Sequence, residues 1–416
     1  MLNCNIREFG AAGDGIVHDT GAIQKAIDAC GGAGGGRVTI SEGRYLCGRI
    51  DLRSGVELHI EVDAVLLGSG NGEDFPEIET GFWRTEYAPR FNKRCMIYAE
   101  GCSDIAITGR GSIDCQGHYY ISPIENLKPH SLWKYKRNTT VSPARVAFFI
   151  GCSNVLVEDI TMKNQPAGWS YWVCDCENVH FDRCKIFASV EYPNNDGIHI
   201  NCSRNVTVSN CNISCGDDGV VVRAYSLPLF GNKPCEKVTV TNCNITSRSG
   251  GIRIGWINDG TISGCVFSNL TFTDCRYGID IRLPGNTTGE RKSDEGEEFT
   301  LIENLSFSNI TMERIYCAPF SIIIHEGNKC EAIRDLNFSS IRSRSLAMPI
   351  IKGRSDCHVK GLVMDNCRFT QIPPFDEDCD PDWNRSLDIS CAEDILMNNT
   401  RFDIFSLPEK RIPAFS

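Results

Sequence analysis

The stretch Asn194-Asn195-Asp196-Gly197-Ile198-His199-Ile200 and the stretch Gly216-Asp217-Asp218-Gly219-Val220-Val221-Val222 share one pattern: a glycine followed by an alternating apolar run. Two later segments repeat it, Gly250-Gly251-Ile252-Arg253-Ile254 and Tyr277-Gly278-Ile279-Asp280-Ile281. Apolar residues at every second position are typical of a β-strand with one buried face. Four such strands in succession predict neighbouring coils of a solenoid.

Short alternating strands recur through most of the chain, and each is followed by a turn residue. These turns lie roughly 30 residues apart, at Gly109, Asp159, Arg183, Asn210, Asn242, Asn269, Asn309, Ser340, Asn366 and Asn399. A period of this length, with extra residues placed in turns, predicts an all-β, right-handed parallel β-helix of about ten coils. We expect one domain over residues 1–416, with the turn asparagines hydrogen bonded from coil to coil.

The beginning of the chain differs from the repeat. The segment Ile6-Arg7-Glu8-Phe9-Gly10 predicts a short strand, and Asp19-Thr20 predicts the start of a helix that ends near Cys30. Within residues 1–50 this short N-terminal helix is expected to cap the open end of the solenoid, which terminal repeats must do.

Three insertions interrupt the period. They cover residues 116–145, which are rich in aromatic side chains, residues 284–298, which are polar and charged, and residues 371–388, which are acidic. Long loops on a solenoid usually line its binding face. We expect the first insertion to form a wall of a substrate site, the alternative being surface decoration.

Composition excludes several classes of partner. A net charge of −11 with no basic block disfavours nucleic acid and anionic membrane surfaces. The beginning of the chain shows no leader pattern, which predicts a cytoplasmic protein or, alternatively, a secreted one whose leader has been removed. No apolar run is long enough to span a bilayer. The 23 cysteines are odd in number, lack a CxxC pair and often follow the turn residue, which predicts buried thiols in a reducing, cytoplasmic protein without a zinc site.

Alignment of the four segments predicts which side chains meet. Asp196 and Asp218 become stacked neighbours about one strand spacing apart, and such a carboxylate pair titrates as a unit. Asp217 must then point another way. Two carboxylates that hold a water, opposite a third that can donate a proton, are the apparatus of an inverting glycosidase. The alternative is that these Asp-Gly pairs are turns only.

The same residues resemble a known family. Asn194-Asn195-Asp196-Gly197 and Gly216-Asp217-Asp218-Gly219 are similar to the Asn-Thr-Asp-Gly and Gly-Asp-Asp motifs of the family-28 glycoside hydrolases, the polygalacturonases and their relatives. The opening Phe9–Gly15 and the segment Gln165–Trp169 extend the likeness. The resemblance implies a parallel β-helix, with Asp217 as general acid and Asp196 with Asp218 activating the water.

Departures from the family pattern fall in the second half of the site. The place of the family's histidine is Gly250, and its Arg-Ile-Lys aligns with Asp280-Ile281-Arg282. Arg253 is predicted to meet Asp280. Three interpretations are open: Arg253 and Arg282 grip a uronate carboxylate, or Asp280 instead contacts sugar hydroxyls, or Arg253 and Asp280 form a surface salt bridge. The residues expected to bind substrate are His199, Arg223, Arg253, Trp256, Asp280, Arg282, Trp169 and His325.

The sequence therefore predicts a glycoside hydrolase that cleaves a pectin-derived or other plant-type oligosaccharide with inversion, acting from a chain end. It predicts neither a cofactor nor a metal site. Two other interpretations remain open. One is a lyase, epimerase or intramolecular glycosyl transferase on the same fold; the other is a non-catalytic carbohydrate-binding β-helix.

Overall fold

The computed structural model describes residues 2–89, 93–138, 142–285, 299–380 and 386–405. These form a right-handed parallel β-helix built on two long parallel sheets. The larger sheet has 23 strands among the described residues: β1 Leu2–Asn5, β2 Asp14–His18, β3 Gly36–Ile40, β4 Gly43–Cys47, β6 Val56–Ile60, β7 Ala64–Gly68, β9 Ser103–Thr108, β10 Ser112–Asp114, β14 Ser153–Glu158, β15 Thr161–Lys163, β17 Glu177–Asp182, β18 Lys185–Phe187, β20 Arg204–Ser209, β21 Asn212–Cys215, β23 Cys235–Thr241, β24 Asn244–Ser247, β26 Thr261–Thr273, β28 Thr300–Ile315, β30 Cys330–Ser345, β32 Val359–Asp365, β33 Arg368–Gln371, β35 Ala392–Asn398 and β36 Arg401–Asp403.

The second long sheet, called the cleft sheet below, has 11 strands in the described part of the chain. They are β5 Ile50–Asp51, β8 Cys95–Glu100, β13 Arg145–Ile150, β16 Trp169–Cys174, β19 Ile198–Asn201, β22 Val220–Arg223, β25 Gly250–Ile254, β27 Tyr277–Leu283, β29 Phe320–Ile324, β31 Ile350–Lys352 and β34 Asp388–Ser390. A separate antiparallel pair, β11 Ile121–Pro123 and β12 Tyr135–Arg137, lies within the first predicted insertion.

The predicted register of the cleft sheet is confirmed. Ile198 pairs with Val220, Val220 with Ile252, and Ile252 with Ile279. These inward side chains are fully buried, so each coil packs its apolar residues onto the next. A slip of one residue would turn all of them outward, which is why the alternation fixes the register.

The predicted turn positions are also confirmed. All ten have positive φ, between 43° at Asn399 and 107° at Gly109. Asparagine tolerates this left-handed conformation better than most residues. The amides form the expected ladder: Asn309 Nδ2 donates to Asn269 Oδ1 at 2.8 Å, and Asn269 Nδ2 donates to Asn242 Oδ1 at 3.2 Å.

Replacing Asn269 with alanine is expected to lower the free energy of unfolding by about 1–2 kcal/mol, because alanine disfavours a left-handed backbone and two ladder bonds are lost. Asn269→Gly removes the same bonds but accepts the backbone, so it should cost less. Denaturant unfolding of the two variants measures the difference. Equal destabilisation by both would contradict a conformational role for the asparagine.

The N-terminal cap is confirmed with one correction. Helix α1, Thr20–Gly32, buries Ile23, Ala26, Ile27 and Cys30 against the first coil. The predicted strand at Ile6–Gly10 is wrong: Ile6–Phe9 is a 3₁₀ helix, because the Asn5 side chain accepts a hydrogen bond from the Arg7 N–H at 3.0 Å. The first strand, β1, instead covers Leu2–Asn5, directly before this helix.

Other short helices lie in loops, at Gly72–Asp74, Thr85–Tyr87 and Gly117–Tyr120. The first two belong to a long connection between β7 and β8, residues 69–94, which the sequence did not reveal as an insertion. Of the predicted insertion 284–298, residues 286–298 lie outside the described residues. The insertion 371–388 is bound to the solenoid by an ion pair between Asp378 and Arg248 at 2.8 Å.

All 23 cysteines fall among the described residues as free thiols, and every one except Cys391 is buried. They fill small apolar places between coils, as the sequence predicts. No helix in the described ranges is long and apolar enough to cross a membrane.

Candidate active site

A cavity of about 490 Å³ opens outside the cleft sheet, across the coils that carry β16 to β27. Charged and aromatic side chains dominate its lining. It is lined by Tyr87, Ala88, Pro89, Trp133, Trp169, Asn194, Asp196, His199, Asp217, Asp218, Val221, Arg223, Tyr225, Ser249, Arg253, Gly255, Trp256, Ile257, Asn258, Arg276 and Arg282.

The three predicted aspartates, Asp196, Asp217 and Asp218, all reach this cavity and are called the aspartate trio below. Asp196 and Asp218 immediately precede the paired strands β19 and β22, so they stack on successive coils. The Asp217 Oδ2 atom accepts hydrogen bonds from the Asn194 main-chain N–H at 2.9 Å and its side-chain Nδ2 at 3.0 Å. Asp217 is thus anchored toward the preceding coil.

Asp218 is anchored in the opposite direction. Its Oδ1 atom accepts a hydrogen bond from the Gly250 N–H, on the following coil, at 2.7 Å. Burial raises the pKa of Asp218 to about 6, against the opposing charge of Arg253 and with a smaller contribution from the neighbouring Asp217 charge. The predicted divergence of the two adjacent carboxylates is therefore confirmed, and burial holds the pKa of Asp218 above its ordinary value.

The backbone beneath the trio is fixed by buried polar contacts. Asn195, fully buried, accepts a hydrogen bond from the Gly216 N–H at 2.7 Å and donates to the Ser189 carbonyl at 2.7 Å. Trp133, from the first predicted insertion, donates to the Gly216 carbonyl at 2.5 Å. Both contacts hold the turn that presents Asp217, so preorganisation of the acids comes from residues outside the trio.

A stacked pair borders Asp196. The His199 ring lies on Trp169, with centroids 3.9 Å apart, and its Nδ1 atom is 3.6 Å from Asp196 Oδ2. His199 and Trp169 are both 5% exposed. His199 is therefore not the solvated outward histidine that its strand position suggests, and Trp169 offers little open ring face.

Arginines occupy the opposite half of the cavity. Arg253 Nη1 binds Asp280 Oδ2 at 2.5 Å, and Arg282 Nη2 lies 3.3 Å from Asp280 Oδ1. The Ser321 hydroxyl also donates to Asp280. The predicted meeting of Arg253 and Asp280 is confirmed, but two expectations are corrected. The pair is buried rather than a surface salt bridge, and Asp280, 1% exposed, is not among the residues that line the cavity.

Trp256 and Arg223 are held by one buried carboxylate. The Arg223 Nε atom lies 2.6 Å from Asp259 Oδ2, and that oxygen also accepts the Trp256 N–H at 2.9 Å. Asp259 is fully buried. The Arg253 guanidinium lies 4.3 Å from the Trp256 ring centroid and makes a cation–π contact with that ring. Sequence reasoning missed Asp259 because no pattern links it to Arg223.

His325 does not line the cavity. It follows β29, one coil beyond Arg282, where the cavity has already ended, and its side chain is exposed in the turn. Partial burial and the nearby charge of Arg282 lower the pKa of His325, so its part in substrate binding stays a prediction. Conversely, the sequence did not indicate Tyr87, Ala88, Pro89, Tyr225 or Arg276, which come from loops or strand ends without periodic signal.

Gly250 explains how the site accommodates the Arg253–Asp280 pair. A Cβ atom at Gly250 would lie 3.1 Å from Asp218 Oδ1 and 3.5 Å from Asp280 Cβ. Because glycine has no side chain, the Gly250 N–H can approach the Asp218 carboxylate closely. A side chain at this position would require the Asp218 carboxylate to shift by a few tenths of an ångström.

Introducing histidine at Gly250 is therefore expected to lower kcat/KM by about tenfold or more, because even a small displacement of a reacting group slows the reaction this much. Gly250→Ala should cause a smaller loss in the same direction. The measurement is kcat/KM for both variants, with circular dichroism to verify folding. A gain of activity in Gly250→His would show that the site merely lacks a histidine.

The comparisons with known proteins come from sequence and from structure. The model of the glycosyl hydrolases family 28 matches residues 30–360. A probable polygalacturonase from Vitis vinifera is 28% identical over 53% of this chain and 44% of its own length. An exo-poly-alpha-D-galacturonosidase from Dickeya chrysanthemi is 26% identical over 52% of this chain and 41% of its own length. The chain thus spans less than half the length of these two relatives.

Among solved structures, a hyperthermoactive exopolygalacturonase from Thermotoga maritima superimposes with a TM-score of 0.74. The match covers 96% of this chain and 93% of that one at 21% sequence identity. At this identity the likeness establishes the right-handed β-helix.

Proposed function

Because the chain belongs to the glycosyl hydrolases of family 28, we propose that it hydrolyses an acidic, pectin-type oligosaccharide with inversion, from a chain end. The observation that carries the proposal is the aspartate trio, with Asp217 and Asp218 anchored to opposite neighbouring coils. Carboxylates held apart in this way serve two separate functions in one reaction.

In the proposed reaction Asp196 and Asp218 bind a water and remove its proton as its oxygen attacks the anomeric carbon. Asp217 protonates the glycosidic oxygen as its bond to that carbon breaks. Inverting enzymes keep these functions roughly 6.5–9.5 Å apart to leave room for the water. The reaction needs no cofactor, since both protons move between carboxylates, water and sugar.

The charge of the cavity supports an acidic sugar as substrate. Arg223 is balanced by Asp259, whereas Arg253 and Arg282 share the single carboxylate of Asp280. The arginine half therefore carries an excess of positive charge, and guanidinium groups suit the planar carboxylate of a uronate.

The shape of the cavity supports action on short chains. Four coil spacings separate Trp169 from Arg282, which is about 19 Å at about 4.8 Å each. The segment Tyr87–Pro89 lines the cavity, and Ala88 packs in the same cluster as Trp169. A chain end would meet this segment and stop there.

We also propose that the protein works in a reducing compartment such as the cytoplasm. Its free thiols include close neighbours on successive coils, for example Cys102 and Cys152, whose interaction raises the pKa of Cys102. Labelling of thiols in freshly lysed cells tests this; recovery of the protein with its cysteines in disulfides would oppose it.

A panel of defined pectic and other plant oligosaccharides tests the proposed reaction. We expect hydrolysis of uronate-containing members, single sugars released from one end, and products of inverted anomeric configuration by NMR. An unsaturated product absorbing in the ultraviolet would instead indicate a lyase. Binding without turnover would indicate a carbohydrate-binding protein.

A further inference from the structure

The segment Tyr87–Pro89 closes the groove because three contacts hold it across the cleft sheet. The Arg145 Nη2 atom donates to the Pro89 carbonyl at 2.9 Å, and the Tyr225 hydroxyl donates to the Tyr87 carbonyl at 3.4 Å. Slightly earlier in the chain, the Arg84 N–H donates to the Pro228 carbonyl at 2.8 Å. This end wall therefore joins the connection 69–94 to the loop after β22.

Arg145 is the contact that comes from the solenoid beneath the wall. It begins β13, where it pairs with Trp169 on the next coil, the first coil that lines the cavity. Pro89 thus lies over the coil that would otherwise continue the groove. The wall stands at the boundary between the covered coil and the open ones.

The surroundings of Arg145 restrict it to one position. The side chain is 2% exposed, and its guanidinium lies 4.9 Å from the Trp169 ring centroid and 4.5 Å from that of Trp172. Ala88 packs into the same aromatic cluster. A buried guanidinium between two indoles cannot swing away, so its hydrogen bond fixes the height of Pro89 above the sheet.

We propose that Arg145 is a positioning residue that sets the length specificity of the enzyme. It fixes the Tyr87–Pro89 wall, which the end of the bound oligosaccharide contacts. The inference rests on the proposed hydrolysis from a chain end. Without this anchor the wall moves, the groove extends over β13, and a longer chain can thread past the aspartate trio. Arg145 then governs where along the chain cleavage occurs, not the bond-breaking step itself.

The test compares wild type, Arg145→Lys and Arg145→Met on a ladder of oligogalacturonides and on the polymer, with product lengths read by mass spectrometry. We expect Arg145→Met to raise the ratio of internal to terminal cleavage by about tenfold or more, the rate equivalent of losing one charge-assisted hydrogen bond. Arg145→Lys keeps a donor for the Pro89 carbonyl. Its ratio of internal to terminal cleavage should therefore lie between those of wild type and Arg145→Met. Because lysine also keeps the charge, it provides a folded variant if methionine is not tolerated.

Arg94→Met is the matched control. Arg94 supports the same connection, through the Phe75 carbonyl at 2.8 Å and the Gly72 carbonyl at 3.2 Å, but away from the cavity. It should lower thermal stability without changing product lengths. Unchanged product lengths in folded Arg145→Met and Arg145→Lys would overturn the proposal. Failure of wild type to hydrolyse any member of the ladder would count against the proposed function instead.

Discussion

Replacing Asp217 with asparagine is expected to lower kcat by about 10²–10⁴-fold, the usual contribution of a general acid. Asparagine has nearly the same shape, and its carbonyl oxygen can still accept the two hydrogen bonds from Asn194 that now reach Asp217 Oδ2. The fold and the affinity for oligosaccharide should therefore persist while turnover is lost. Steady-state kinetics and calorimetric titration of the same variant measure the two quantities.

Asp378→Asn is a suitable control for this experiment. It makes the same chemical change in a carboxylate that pairs with Arg248 outside the cavity. Its activity should remain close to that of wild type. Full hydrolysis by Asp217→Asn would exclude it as the proton donor, whereas loss of binding along with turnover would point to collapse of the site.

The sequence predicted the parts of the site that follow the strand period. The pairing of Arg253 with Asp280 follows from alternation alone. The turn positions follow because only some residues accept a left-handed backbone. A second exposed ladder of hydrogen bonds, through Asp104, Asn154 and Asn178, was missed. Its residues lie at the starts of strands, whereas the predicted turn residues follow the ends of strands.

Contacts between distant loops could not be predicted in the same way. The wall at Pro89 depends on Arg145, 56 residues later. No periodicity connects these positions, since irregular loops choose their partners through packing after the solenoid has formed. The strand alignment thus revealed the aspartate trio, whereas the limits of the cavity came only from the structure.

Replacing Asp218 with asparagine is expected to abolish activity and to stabilise the protein above pH 6. The pKa of Asp218 is raised from 3.8 to about 6, chiefly by burial, so the folded protein holds its proton more tightly than the unfolded chain. Its stabilising contribution is complete below pH 3.8 and is lost as the pH rises through 6. At pH 8 the buried charge then costs up to about 3 kcal/mol, at 1.36 kcal/mol per pKa unit.

Asparagine removes this cost because it carries no charge, while its carbonyl can still accept the Gly250 N–H. Thermal unfolding should give a higher Tm for Asp218→Asn than for wild type at pH 8, with the difference shrinking toward pH 4. Wild-type activity should fall as the pH drops through 6, because a protonated Asp218 cannot accept a proton from water. A variant that is less stable than wild type at pH 8 would refute the assignment. Burial raises both the basicity of this carboxylate and the free-energy cost of its charge in the folded protein. A carboxylate that destabilises the fold in this way is expected to be kept for chemistry.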